Sequence, residues 1–207
     1  MIICLVTDRR RRSPIEQAGE AAAAGVDLIH VRERDLEARE LAAVVDALVK
    51  VTRGSATRVV VNDRVDVALA CGAAGVQLRG DSMPARRVRQ MTPDGFLIGC
   101  SVHAVDEAVA AAVDADYLVA GTVFPTQSKP GMTRLLGTDG LAAVARAVPV
   151  PVLAIGGVSV ERAGELAAAG AGGLAAIGLF ANPGRPIKEV VQELRERFNI
   201  SSKFSTR

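Results

Sequence analysis

The chain has no Trp, a single Tyr and only five Phe. A sandwich core anchored on aromatic residues is therefore a poor expectation, and small branched residues must fill the interior instead. Cysteine is almost as scarce. Cys4, Cys71 and Cys100 are scattered, with no Cys-x-x-Cys and no Cys/His pairing, which argues against a disulfide scaffold or a structural zinc site. Buried free thiols in a reducing compartment are the simple reading. Long apolar runs are missing too: residues 2–6 are too few for the core of a signal peptide and lead straight into Asp8 and four arginines. Charge of one sign is also lacking. Twenty-five basic against 23 acidic residues leave a net charge of +2, which does not by itself call for nucleic acid or a membrane surface. A cytoplasmic protein is expected.

What the chain does have is Ala, Val, Leu and Gly in abundance, within a 49% apolar composition. Its length suits one domain with a proper core, here residues 1–207 with a frayed tail after about 199. Strand-like runs fall at 2–8, 27–33, 58–63, 75–79, 96–103, 116–124, 152–157 and 173–180. Each is followed by a segment with helical apolar spacing: one opening at Ser13-Pro14, then 36–51, 65–71, 85–91, 104–113, 141–148, 160–169 and 187–198. Ser13, Pro14 and Glu16 have the spacing of an N-cap, a first-turn proline and a capping box. Gly25, Gly72 and Gly170 stand where left-handed C-caps are expected. Strands separated by helices pair in parallel, and eight such units predict a single (β/α)8 TIM barrel, an α/β fold. The competing open doubly wound sheet would show a Gly-rich turn after the first strand, where this chain has arginines.

Function in such a barrel sits at the C-terminal strand ends. On the second strand, alternation puts His30, Arg32 and Arg34 on one face, opposite Ile29 and Val31. Two inward guanidiniums are costly unless an anion or a carboxylate partners them. An anion site is the functional reading, and an internal ion pair of Arg32 with Asp63 the structural one. Asn62-Asp63 ends the third strand, Asp81 and Ser82 follow the fourth, and Ser101 and His103 end the fifth, where His103, directly before a helix, reads as an N-cap or as a residue behind the site and not as a base. Thr126, Ser128 and Lys129 lie in a long polar loop suited to clamp a phosphate. Gly156-Gly157 and Gly178 permit close backbone approach at strands seven and eight, a common phosphate site. Arg9, Arg10, Arg11 and Arg12, without aromatic neighbours, read as a solvated loop and not as a nucleic-acid site.

These segments resemble the thiamin phosphate synthase and TenI thiazole tautomerase superfamily from about Leu5 to Phe180. The matching stretches are Leu5-Val6-Thr7-Asp8, Ile29-His30-Val31-Arg32-Glu33-Arg34, Val61-Asn62-Asp63-Arg64, Gly75-Val76-Gln77-Leu78, Ser101-Val102-His103, Asp116-Tyr117, Thr126-Gln127-Ser128-Lys129 and Ala154-Ile155-Gly156-Gly157. The resemblance implies coupling of an aminopyrimidine diphosphate to a thiazole phosphate with release of pyrophosphate, a task for charge stabilisation and positioning. It implies that Arg32, Asn62, Ser101 and Lys129 hold the pyrophosphate, that Thr126, Ser128 and Gly157 hold the thiazole phosphate, and that Asp63 binds Mg2+. Three positions depart from the synthase pattern: His30 replaces Gln, Arg34 replaces Lys, and Ser82 replaces a second magnesium-binding Asp, with Asp81 adjacent as a substitute. The tautomerase pattern has a proton-transferring His where this chain has Thr122, which leaves His30 or His103 to be recruited for that alternative. A non-catalytic binder of thiamin phosphate is the third reading. The expected partners are phosphorylated pyrimidine and thiazole molecules, with no nucleic acid or membrane; the oligomeric state is open, a homo-oligomer included.

Overall fold

A computed structural model describes residues 1–126, 131, 134–182 and 184–204, the last five of these by backbone only. Eight parallel strands close in sequence order into a barrel: β1 (Ile2–Val6), β2 (Leu28–Val31), β3 (Arg58–Asn62), β4 (Gly75–Leu78), β5 (Leu97–Val102), β6 (Tyr117–Gly121), β7 (Val152–Ile155) and β8 (Gly173–Ala176). Closure is made by β1 against β8, with Ile3 opposite Leu174 and Leu5 opposite Ala176.

Most strands alternate between two apolar environments. Ile3, Leu5, Ile29, Val31, Val59, Val61, Ile98, Leu118 and Leu174 point outward and pack beneath the helices. Cys4, Val6, Leu28, Val60, Tyr117, Val119, Leu153 and Ala175 fill the barrel from within. A side chain at Gly99 would collide with Gln77 and Tyr117, so the missing Cβ makes room for two large inward groups. The inner filling is thus apolar below and becomes polar toward the C-terminal strand ends.

The helices are α1 (Pro14–Ala24), α2 (Ala38–Val51), α3 (Val65–Ala70), α4 (Ala85–Met91), α5 (Val105–Ala111), α6 (Gly137–Ala147), α7 (Ala163–Ala168), α8 (Gly178–Ala181) and α9 (Ile187–Phe204). Gly25, Gly72 and Gly170 all take positive φ just past helices, as expected. The capping box at α1 does not form, because the Ser13 side chain makes no cap bond. Pro14 and a turn in which the Asp8 carbonyl accepts from the Arg11 and Arg12 amides set the entry of α1 instead. Strands end earlier than their apolar runs, since the last residues of each run leave the ladder for loops. The run at 173–180 is the clearest case: β8 stops at Ala176 and the short helix α8 begins at Gly178. The terminal helix continues beyond 198 to Phe204, with no Gly or Pro to interrupt it. Cys4 and Cys100 are buried and Cys71 partly so, and all three are free thiols. Burial pushes the Cys4 thiol up to about 12 and that of Cys100 to about 11. No helix among the described residues is long and apolar enough to cross a membrane.

Candidate active site

The inward positions that follow the apolar filling open into a cavity of about 450 Å³ at the C-terminal mouth. That volume suits a pair of small phosphorylated molecules. His30, Arg32, Asn62, Ser101 and Gly157 all line it, as do Arg34, Thr126 and Gly178. Ser128 and Lys129 lie outside the described residues.

On one side stand the ends of β2 to β5. His30 is buried, with Nε2 3.3 Å from Asn62 Oδ1. Burial, and then the nearby Arg32 charge, lower its pKa to about 3. The imidazole is therefore neutral near pH 7, and a proton on Nε2 is donated to Asn62 Oδ1. Asn62 keeps its amide N–H groups for a ligand. Ser101 Oγ accepts from Gln77 Nε2 at 3.1 Å, which leaves its own O–H to donate.

Arg32 forms no ion pair with Asp63, and no carboxylate lies within 4 Å of its guanidinium among the described residues. Burial lowers its pKa, helped by Arg34 and Arg79 and opposed by Asp8 and Glu33. A guanidinium stays charged regardless, so the site carries a half-buried cation in want of an anion. Its backbone is fixed by a network that sequence reasoning missed. The Arg32 amide donates to Thr7 Oγ1 at 3.0 Å, and Thr7 donates to the buried Glu33 carboxylate at 2.6 Å. Glu33 also accepts from the Arg9 amide at 3.1 Å, and Arg9 pairs with Asp35 at 2.6 Å. The arginine run is accordingly an ion-paired loop and not merely a solvated one. Arg10 joins Asp35, Arg12 joins Glu20, and Arg11 joins Asp8 while lining the cavity.

Neither expected metal ligand faces the cavity. Asp63, in the left-handed region at φ 63°, lies 3.5 Å from Arg79 Nε, and Asp81, largely exposed, pairs with the same guanidinium at 2.8 Å. It is Arg79 that lines the cavity. Alternation beyond Gln77 was the signal for it, because Arg79 falls on the inward side of β4. His103 lines the mouth but does not cap α5, whose N-cap is Ala104. Instead the Glu107 carboxylate reaches back to accept from the His103 amide at 2.7 Å and lies 3.2 Å from Nδ1.

Across the cavity, Gly156 and Gly157 follow β7 with φ of 97° and 62°. A Cβ on Gly157 would strike Phe124 and the Pro125 carbonyl, so only glycine lets the two loops close together here. Gly178 opens α8, beside the Arg11 guanidinium. A short extra helix after strand eight, next to the loop after strand seven, is where barrels of this class commonly hold phosphate. Val119, Ile155 and Ile177 give the cavity apolar lining. Thr122 is buried, its carbonyl accepting from the Leu136 amide at 2.9 Å.

The chain is similar to known proteins over most of its length. The family model described as thiamine monophosphate synthase matches residues 3–180. A thiamine-phosphate synthase of Roseiflexus castenholzii is 41% identical over 180 residues, covering 85% of this chain and 79% of that protein. One from Chlorobium luteolum is 38% identical over 177 residues, covering 85% and 83%. Among solved structures, a thiamine phosphate pyrophosphorylase from Pyrococcus furiosus superposes with a TM-score of 0.85 at 34% identity, over 97% of this chain and 96% of that one.

Proposed function

The chain belongs to the thiamine monophosphate synthase family, and from that premise we propose that it is a transferase coupling an aminopyrimidine diphosphate to a thiazole phosphate in this cavity. The thiazole nitrogen lone pair forms the new C–N bond at the pyrimidine methylene. The C–O bond to the diphosphate breaks, and its electron pair leaves with pyrophosphate. What such a step needs is stabilisation of the departing charge and alignment of the two reactants.

The observation that carries this reading is the polarity of the cavity. Arg32, Arg34 and Arg79 come from the ends of β2 and β4, and the glycine-lined loops follow β7 and β8 across the closed barrel. The guanidiniums, with the Asn62 amide and the Ser101 hydroxyl, hold the diphosphate as negative charge builds on it. Thr126 and the backbone at Gly157 and Gly178 hold the thiazole phosphate, and the family resemblance assigns Ser128 to the same clamp and Lys129 to the pyrophosphate. His30, neutral and hydrogen-bonded to Asn62, shapes the pyrimidine end without adding charge. The tautomerase alternative needs an acid–base group near neutrality, which neither the buried His30, held at about 3, nor the buried Thr122 hydroxyl supplies, so it would fall to His103 at the mouth, which lies against Glu107.

Membership of the family is compatible with a metal cofactor, but Asp63 and Asp81 do not fit a magnesium ion. Magnesium is normally held by one or two carboxylates together with water and substrate phosphates. Here both carboxylates lie against the Arg79 guanidinium, which already occupies the space between them. The chain's own cations therefore carry the charge stabilisation described above.

Turnover tests the reading. With both precursors supplied, thiamin phosphate and pyrophosphate are expected in equal amounts. Arg32→Ala should lower kcat/KM by about ten- to a hundredfold, the usual loss of a charge-assisted hydrogen bond of about 1.5–3 kcal/mol. No product from the wild-type protein, with or without added magnesium, would refute it.

A further inference from the structure

Asp63, which the family pattern assigns to a metal, and Asp81, beside the position of its second metal-binding Asp, are not idle in this chain. Arg79 lies between them: Nη2 is 2.8 Å from Asp81, and Nε, buried and without a hydrogen bond, is 3.5 Å from Asp63. Ser82 stands where the pattern has its second metal-binding Asp. Its hydroxyl accepts from the Arg79 amide at 2.7 Å, and its own amide donates to the Arg79 carbonyl at 3.2 Å. The turn 79–82 is thus locked on the residue that fills the gap, and Ser82 is committed to that turn. The Nη1 edge of Arg79 makes no hydrogen bond among the described residues, while the side chain lines the cavity and its charge is felt at Arg32.

We propose that Arg79 is a built-in cation standing where the family pattern calls for magnesium, so that the diphosphate end binds pyrophosphate without a divalent ion. Two carboxylates hold the guanidinium as they would hold a metal, and its planar fork of donors suits the oxygens of a diphosphate. Asp81 is largely exposed, and water screens much of its charge. With Arg32 and Arg34 alongside, the balance at this end stays positive. This inference rests on the reading that pyrophosphate is the leaving group.

The test is calorimetric titration of the whole protein with inorganic pyrophosphate, in EDTA and in millimolar magnesium. Wild-type affinity in EDTA is expected to be within about threefold of that in magnesium, less than the roughly 1.4 kcal/mol that a factor of ten represents. Arg79→Gln should lose about tenfold or more in EDTA, with Arg79→Lys recovering part of the loss. The double variant Arg79→Gly with Ser82→Asp should bind only when magnesium is present. A thermal melt of each variant checks that it is folded. Wild-type binding that requires magnesium, or unchanged metal-free binding by folded Arg79→Gln, would overturn the proposal. Metal-free binding lost in Arg79→Gln but without synthase turnover would remove the reaction and keep the Arg79 assignment. Turnover combined with magnesium-dependent binding would do the reverse.

Discussion

His30 shows how much one buried side chain can report. Its pKa falls from 6.5 to about 3 because burial excludes the charged form and Arg32 repels it. Between those values the unfolded chain holds a proton that the folded chain refuses. The stability due to the neutral imidazole is therefore complete above about pH 6.5 and is lost as the pH falls toward 3, at about 1.4 kcal/mol per pH unit. The difference in unfolding free energy between wild type and His30→Gln, measured by denaturant titration, should change by that slope across the window. Parallel pH profiles would show that His30 is not held neutral. At this scale the sequence was informative where one strand decides the outcome. Alternation along residues 28–34 placed His30 and Arg32 correctly, because period 2 is a property of any strand. The positive φ of Asp63 and its approach to Arg79 are not legible in this way, because a one-residue backbone excursion leaves no trace in an apolar pattern.

Among the elements, apolar periodicity found all eight strands but overran most of their C-terminal ends. The residues there, such as Thr7, Glu33 and Arg79, make their bonds through side chains and turns, which a hydropathy pattern does not encode. The stretch at 173–180 is buried in both β8 and α8, so no polar face marked the change from strand to helix. Helix α9 was legible from its stripe of Ile187, Val190, Val191, Leu194 and Phe198, all buried against the barrel's outer layer. Leu194 is fully buried in that layer, remote from the cavity mouth. Leu194→Ala should cost about 2–5 kcal/mol of unfolding free energy through the cavity it leaves, with kcat/KM unchanged at temperatures where the variant is folded. A proportionate fall in kcat/KM would mean that α9 helps to shape the site.

The whole molecule divides its interior by height: the closed barrel packs Val, Leu and one Tyr below and gathers polar strand ends above. Closure brings β2, β3 and β4 to one side of the mouth and β7 with α8 to the other, which sets an arginine-lined end opposite a glycine-lined one. Under the proposed function, that opposition fixes which substrate lies where before any chemistry occurs. The structure of the protein crystallised with inorganic pyrophosphate and the thiazole phosphate measures it most directly. Pyrophosphate is expected within hydrogen-bond distance of Arg32, Arg34 and Arg79, and the thiazole phosphate against the backbone of Gly157 and Gly178. Pyrophosphate seated at the glycine end, or either ligand bound outside the cavity, would contradict it.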